Sequence, residues 1–194
     1  MSKSGEKCTV CSSSVPGYDG VFLTIEGKQK FHCNRCYNRL LSEMHEMPFE
    51  HLDFQPVTLT DADGEAHEFH FTTRILPTGI SMEALEIRNE KPEGYEFQVI
   101  GPLATDVLAL FGQLFERIRK ALSLKHLEMT EHGLHIANGD VVRGMIDCDD
   151  ENVDRIPLLM IDGKPVTWEQ FGRMLMSYEG WNFKLEIFDR SESR

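Results

Sequence analysis

The stretch "FHCNRCYNRLLSEM" (residues 31–44) carries a Cys-x-x-Cys pair directly before a run with helical periodicity. A second pair lies upstream in "KCTVCSSS" (residues 7–14), and 21 residues separate the two pairs. Two-residue gaps let both thiolates of a pair point at one centre, and two such pairs supply the four ligands of a tetrahedral Zn²⁺ site. The spacing therefore predicts one structural zinc ion per chain, with these ligands: Cys8, Cys11, Cys33 and Cys36.

Other interpretations of the four thiols stay open at this point. Iron is the main competitor, because a cage of four cysteine sulfurs also suits iron. A redox dithiol is typical of one Cys-x-x-Cys at a strand–helix junction, rather than of two matched pairs. Disulfides form in oxidising compartments. The N-terminal residues "MSKSGEKCTV" contain no apolar core of a signal peptide, so we expect a cytoplasmic protein with reduced thiols.

The residues between the two pairs predict a β-hairpin that leads into a helix. In "VFLTIEGKQKFH" (residues 21–32), two short strands flank a turn at residues 26–28. Cys33 opens the predicted helix, which places Cys36 in its first turn, and the helix is expected to end before Pro48. The apolar face of this helix is expected to form a small core beside the metal: Cys36, Tyr37, Leu40, Leu41 and Met44.

Residues 8–46 resemble the treble-clef zinc fingers. The resemblance rests on "CTVC", the hairpin, and "CNRCYNRLLSEM", in that order, and it covers about a fifth of the chain. It implies metal-ligand roles for the four cysteines and nothing more. One departure is that no glycine follows the first pair. Because this family includes nucleic-acid-binding, protein-binding and purely structural modules, the resemblance does not select a function.

Basic and aromatic side chains alternate around the second cysteine pair, which leaves nucleic-acid binding open as an alternative. These residues are Lys28, Lys30, Phe31, His32, Arg35, Tyr37 and Arg39. The charge of the chain argues against nucleic-acid binding. The net charge is −12, and all of it lies in residues 51–194, which hold 14 basic and 26 acidic side chains. Such a surface repels phosphate backbones, so we predict a protein partner rather than a nucleic acid.

The remainder of the chain predicts a second, acidic domain of the α+β class over residues 51–194, after a zinc module in residues 1–50. Residues 51–55 are interpreted as a linker between them. Strands joined by hairpins predominate, which favours an antiparallel sheet with two helices packed on it. The elements that carry this prediction are a hairpin turning at Asp63-Gly64, strands at 80–88 and 95–101, a hairpin turn at Asn138-Gly139, and a further strand that ends at a turn at Asp162-Gly163.

Two helices are predicted in this domain. The first covers residues 106–124 and carries a wide apolar stripe. Thr167 and Gln170 form the capping box of the second. The stripe of the first consists of Val107, Phe111, Leu114, Ile118, Ala121 and Leu122, flanked by Leu108, Leu110 and Phe115. The apolar face of the second consists of Trp168, Phe171, Met174, Leu175 and Tyr178.

The final segment, "WNFKLEIFD" (residues 181–189), alternates between apolar and polar residues, which predicts a half-buried antiparallel strand. It belongs to a longer stretch, "PVTWEQFGRMLMSYEGWNFKLEI" (residues 165–187), that resembles the C-terminal part of uncharacterised bacterial proteins. That resemblance implies a bacterial origin and no activity. No apolar run approaches the roughly 18 residues of a membrane span.

A search for catalytic groups finds no constellation. His67 and His70 are three apart on a predicted strand and face opposite sides, while His132 and His135 have no matching carboxylate. Cys148 lies in an acidic loop with Asp147, Asp149 and Asp150, which disfavours a reactive thiolate. We therefore predict a zinc-binding, non-catalytic protein that acts through protein–protein contact. An enzyme with a site between sheet and helices is a further alternative, and the oligomeric state stays open.

Overall fold

The computed structural model describes residues 5–131, 133–137, 141–148 and 156–192. Over these residues the chain is α+β, as predicted, with antiparallel sheets and three α-helices. The helices are α1 (Asn34–Met44), α2 (Val107–Leu122) and α3 (Trp168–Leu175). The strands are β1 (Glu6–Lys7), β2 (Ser14–Val15), β3 (Gly20–Ile25), β4 (Lys28–Cys33), β5 (Val57–Thr60), β6 (Ala66–Leu76), β7 (Gly79–Arg88), β8 (Lys91–Gly101), β9 (Leu127–Thr130), β10 (Gly133–Ile136), β11 (Met145–Cys148), β12 (Pro157–Ile161) and β13 (Lys164–Thr167).

Strands that are neighbours in the chain are neighbours in the sheets. The described sheets have the orders β1-β2, β3-β4, β5-β6-β7-β8, β9-β10 and β11-β12-β13. The predicted hairpins are confirmed in β3-β4 and β5-β6, and the predicted turn at Asp162-Gly163 joins β12 to a further paired strand, β13. The predicted turn at Asn138-Gly139 lies outside the described residues.

Tight two-residue turns explain several of these hairpins. When both central residues have positive φ, the turn is of the type I′ class, whose twist matches that of paired strands. Two of these turns contain glycine and were predicted from it. A third was not, because a glutamate occupies the position where glycine is usual. The turns and their φ angles are Glu26-Gly27 (53° and 74°), Asn89-Glu90 (50° and 65°) and Asp162-Gly163 (51° and 64°).

Two compact units interleave along the chain. The first contains Met1–Pro56, His70–Ala84 and Gln98–Leu114. The second contains Val57–Phe69, Leu85–Phe97 and Phe115–Arg194. Strands β6, β7 and β8 and helix α2 therefore contribute residues to both units. The predicted boundary at residue 50, between a zinc module and an α+β domain, stays a prediction.

An aromatic cluster in the first unit corrects the interpretation of residues 51–55 as a linker. Phe54 stacks on Phe111 of α2, with ring centroids 4.5 Å apart and an interplanar angle of 7°. Phe71 of β6 meets the same ring edge-on at 5.0 Å. Ring contacts of this kind stabilise a pair by about 0.5–1.5 kcal/mol beyond the burial of apolar area. The segment is therefore packed within its unit rather than acting as a solvated tether.

Helix α3 packs over a small core in the second unit. Its Met174 belongs to one buried cluster with Leu127, Ile161 and Val166. The predicted capping box is confirmed at its start, where Thr167 Oγ1 accepts a hydrogen bond from the Gln170 amide and Gln170 Oε1 accepts one from the Thr167 amide. The predicted apolar face is wrong at its ends, because Trp168 and Leu175 are exposed.

The predicted stripe of α2 is confirmed along its centre. Its buried side chains are Val107, Leu110, Leu114, Ile118 and Leu122. Leu108 was expected to flank them but is exposed. The stripe is therefore narrower on that side than the helical projection indicated, since Leu108 lies at the edge of the arc.

The strand predicted at residues 181–189 is wrong. These residues form neither a helix nor a strand in the described chain. Their alternation indicates which face a sheet would bury, but a strand also needs a neighbouring strand to pair its backbone groups. No described strand takes that role, and Phe183 is 90% exposed.

Candidate metal centre

The fold brings the four predicted ligands together from two short segments. Cys8 follows β1, and Cys11 lies in the turn between β1 and β2. Cys33 ends β4 and caps α1, so Cys36 lies in the first helical turn. Cys8, Cys33 and Cys36 are buried and Cys11 is exposed, which places the site at the edge of a small core with Val15 packed against it.

The distances between the thiols suit one metal ion. All four sulfur atoms lie within 4.8 Å of one another, and Cys11 Sγ is 3.8 Å from Cys33 Sγ. Four sulfurs at about 2.3 Å around a tetrahedral Zn²⁺ are about 3.8 Å apart. A disulfide requires an S–S distance of about 2.05 Å, so these cysteines are free thiols and form no disulfide. The donor set fits a metal ion with a closed shell of protein ligands.

Backbone hydrogen bonds form the knuckle that carries the first pair. The Cys8 amide donates to the Ser13 carbonyl and the Ser12 amide donates to the Cys8 carbonyl, both at 2.9 Å. Ser12 has φ of 61°, a left-handed conformation for which glycine is the usual residue. The knuckle therefore forms without the glycine that the treble-clef pattern would supply, and a serine takes the left-handed position.

Further contacts tie this knuckle to the hairpin. The Thr9 amide and Thr9 Oγ1 both donate to the Phe31 carbonyl, at 2.9 and 3.1 Å. The Cys33 amide donates to Cys8 Sγ at 3.4 Å. An amide that donates to sulfur favours the thiolate form. Hydrogen bonds within the protein thus hold the two cysteine pairs next to each other, independently of a metal ion.

The four thiols differ in acidity. Hydrogen bonds from the Ser13 side chain and backbone lower the pKa of Cys11 to about 6. Burial raises the pKa of Cys8, but backbone hydrogen bonds, chiefly at Cys11 and Cys33, more than offset it and leave that pKa lowered. Burial raises the pKa values of Cys33 and Cys36. A metal ion bound here would therefore displace protons mainly from Cys33 and Cys36.

The predicted surroundings of Cys36 need a correction. Met44 was expected to share a small core with Cys36, but its side chain is 66% exposed. The buried residues of α1 are instead Asn34, Cys36 and Asn38. A helical projection assigns amides to the solvent, and it has no means of identifying hydrogen-bond partners elsewhere in the chain.

Two asparagines of α1 make those hydrogen bonds within the first unit. Asn38 Nδ2 donates to the Thr73 carbonyl of β6 at 2.7 Å, and the Ile75 amide donates to Asn38 Oδ1 at 2.9 Å. Asn34 lies between Asp19 and Arg74, with distances of 3.0 and 3.2 Å. The helix that carries half of the ligand set is therefore joined to β6 by satisfied, buried polar groups.

The side chains that could have read nucleic acid are only partly accessible. Phe31 and His32 are buried, so neither presents a ring face for a base to stack on. Arg35 forms an ion pair with Asp53. Of the three aromatic side chains predicted for this surface, Phe31 and His32 are therefore not available to a nucleic acid.

The remaining predicted residues that the structure describes do not belong to the cysteine cluster. His70 bonds to the Tyr18 hydroxyl at 2.9 Å, and His135 lies in β10. Cys148 is exposed at the end of β11. His132, Asp149 and Asp150 lie outside the described residues.

A second group of possible metal ligands was missed by the sequence-based search. It consists of Asp61, Glu65 and His67. From the sequence, residues 61–65 are interpreted as a turn and His67 is compared only with His70, so the three side chains are not grouped; the turn brings Asp61 beside His67.

Comparisons with known proteins leave the function open. Residues 50–123 match the model described as Domain of unknown function (DUF7686), and residues 126–192 match Domain of unknown function (DUF7713). Each model matches less than half of the chain, and neither reaches the four cysteines. No curated protein and no solved structure matches the chain. Among the described helices, none has the length and apolarity required to cross a membrane.

Proposed function

We propose that this chain is a zinc-binding, non-catalytic protein in which Zn²⁺ stabilises an N-terminal module resembling a treble clef. The support is a set of four free thiols spaced as a tetrahedral ion requires. Four cysteine ligands complete the shell of a structural zinc site, whereas catalytic zinc keeps one position for water or substrate. A segment with few buried large apolar side chains gains the folding free energy that such an ion supplies.

We further propose that the protein acts through contact with another protein, and that residues 181–188 form part of the contact. The observation that carries this proposal is the exposure of four large apolar side chains in alternate positions. Trp181, Phe183, Leu185 and Ile187 are 67%, 90%, 72% and 72% exposed. Large apolar side chains exposed this close together in the chain favour an interaction site.

Contacts at both ends hold this segment in place within the second unit. At its start, the Trp181 amide donates to the Tyr178 carbonyl at 2.9 Å. At its end, the Arg117 guanidinium donates to the carbonyls of Arg190 and Ser191, at 3.2 and 2.8 Å. The apolar side chains between these anchors are therefore presented from fixed ends, which lowers the entropic cost of ordering them on binding.

The chemistry of the segment favours the exposed edge of a sheet in the partner protein. Its alternation is that of a strand with one apolar face, and adding such a strand pairs backbone groups while the apolar face enters pockets. On the other face, Lys184 and Glu186 pair with each other at 2.6 Å, so that face has no net charge to direct recognition. Affinity is therefore expected to depend on the apolar face.

The test compares two faces of the same segment in the full-length protein. Immobilised wild-type protein is exposed to lysate, and retained proteins are identified by mass spectrometry. The variant Phe183→Ser/Leu185→Ser removes apolar surface, and Asn182→Ser/Lys184→Ser is the matched control. We expect wild type and control to retain one discrete protein at defined stoichiometry, and the apolar-face variant to lose it.

Light scattering on the purified protein shows whether the segment binds a different protein or a second copy of this chain. A monomeric wild type that binds the captured protein in purified form supports the proposal. Self-association that the Phe183→Ser/Leu185→Ser change abolishes would overturn it in favour of a homo-oligomer. Equal retention by all three proteins, or retention of nothing above background, would also contradict it.

A further inference from the structure

The hairpin of β5 and β6 carries a second cluster of ligand-type side chains, in the second unit and separate from the cysteines. Asp61 and Glu65 flank the turn, and His67 follows at the start of β6. One ligand atom from each of these three residues lies within 4.8 Å of the other two. Acidic side chains often gather at a turn without binding anything, but here a buried histidine lies beside them.

His67 has a buried ring nitrogen that makes no hydrogen bond. The side chain is 2% exposed, and Nε2 has no hydrogen-bond partner among the residues that the structure describes. Nε2 lies 3.3 Å from Asp61 Oδ2 but without the geometry of a hydrogen bond. A buried polar atom left in this way destabilises the folded chain, and a bound ligand would offset that cost.

The other ring nitrogen is firmly held. His67 Nδ1 lies 2.8 Å from Glu86 Oε1, in a pair whose side chains are both 2% exposed. Glu86 in turn accepts hydrogen bonds from Arg88 Nε at 2.7 Å and from the Tyr95 amide at 2.8 Å. When a carboxylate accepts a hydrogen bond from Nδ1–H, the ring proton stays on Nδ1 and the Nε2 lone pair is free to bind a metal. This arrangement is the usual one for histidine ligands.

The turn also orients Asp61. Its Oδ1 accepts hydrogen bonds from the amides of Asp63 and Glu65, at 2.9 and 2.8 Å. That leaves Oδ2 as the oxygen beside His67. With the ring proton on Nδ1, the Nε2 lone pair and Asp61 Oδ2 lie 3.3 Å apart and repel each other unless a cation lies between them. Nitrogen and oxygen ligands at about 2.0–2.2 Å from one ion are separated by roughly 3.0–3.4 Å, depending on the coordination angle.

We propose that Asp61, Glu65 and His67 bind a divalent transition-metal ion, with Glu86 as the positioning residue for His67. One imidazole and two carboxylates suit ions such as Mn²⁺, Fe²⁺ and Zn²⁺, whereas the four thiolates select softer ions. Glu65 is half exposed, and its Oε2 lies 3.8 Å from Lys164 Nζ, a contact that a bound ion would replace. The site is therefore chemically distinct from the cysteine centre, and it does not depend on the function proposed above.

The experiment titrates Mn²⁺ into full-length protein already loaded with one equivalent of Zn²⁺, and electron paramagnetic resonance follows the loss of the free Mn²⁺ signal. Mn²⁺ is the probe because it prefers oxygen and nitrogen ligands to thiolates. We expect one equivalent to bind. Glu65→Gln should weaken binding at least tenfold, and Glu86→Gln should weaken it roughly 10–100-fold, the usual effect of a residue behind a ligand.

Asp63→Asn is the matched control, because Asp63 lies in the same turn with similar exposure and is not in the cluster. Its affinity for Mn²⁺ should equal that of wild type. Equal weakening by Asp63→Asn and Glu65→Gln would indicate diffuse attraction and overturn the proposal. So would the lack of stoichiometric binding, or nitrogen chemical shifts showing His67 doubly protonated at neutral pH with and without Mn²⁺.

Discussion

Asn38 of α1 donates a hydrogen bond from Nδ2 to the Thr73 carbonyl of β6 over 2.7 Å, and both residues are buried. This contact joins the helix that carries Cys36 to a strand that lies far along the chain. The helix is therefore held at two places: at Cys36 by the proposed ion, and at Asn38, two residues further on, by β6.

Replacing Asn38 with alanine should therefore destabilise the protein without removing a metal ligand. The change leaves the Thr73 carbonyl and the Ile75 amide buried without this partner. Each such group costs about 1–3 kcal/mol, so for the two groups we expect a loss of about 2–6 kcal/mol. Urea denaturation measures it, with the exposed Glu43→Ala as control. Unchanged midpoints in both variants would show that this contact contributes nothing.

Removing one thiol should release the metal. Cys36→Ser takes away a buried ligand, and we expect its zinc content to fall from one ion per chain to near zero, with unfolding that affects mainly residues 1–50. Cys148→Ser is the control, because Cys148 is an exposed cysteine outside the cluster. Elemental analysis and hydrogen exchange measure the two effects. Full zinc content in Cys36→Ser, or equal loss in both variants, would be inconsistent with a four-cysteine site.

Zinc affinity should rise with pH. In the metal-free protein, burial raises the pKa values of Cys33 and Cys36, so both are protonated at neutral pH and Zn²⁺ must displace those protons. Displacement becomes easier as pH rises, and each displaced proton changes the affinity by roughly tenfold per pH unit. Competition with a chelator at several pH values between 6 and 8 measures the slope. A flat profile would mean that the thiols are already ionised.

The start of α3 offers a smaller effect that is local to the second unit. Thr167→Ala removes one half of the capping box, which should cost about 1 kcal/mol of stability. Thr167→Ser keeps the hydroxyl and should remain close to wild type. Thermal unfolding of both variants measures the difference, and a serine variant as unstable as the alanine variant would assign the effect to the lost methyl group instead.

Local chemistry made several features predictable from the sequence. Within each cysteine pair, the two-residue gap lets both sulfur atoms face one point, and all four sulfur atoms lie within 4.8 Å of one another. Gly27 and Gly163 mark turns because few other residues adopt positive φ readily. Thr167 and Gln170 satisfy each other's backbone groups within one helical turn. In each case, the residues that determine the structure lie within a few positions of one another.

Features that depend on distant partners could not be predicted. Asn38 is buried because β6 supplies its hydrogen bonds, and nothing within α1 indicates this. His67 depends on Glu86, which comes from a different strand. The alternation of residues 181–189 describes a possible strand, but pairing requires a neighbour that the described chain does not supply.

The most direct test of the central claim is the X-ray absorption spectrum of the full-length protein at the zinc edge, recorded with one equivalent of zinc bound. Four sulfur neighbours at about 2.3 Å are expected. A shell of nitrogen and oxygen neighbours, or freshly reduced protein that holds iron or no metal, would contradict the four-cysteine zinc site.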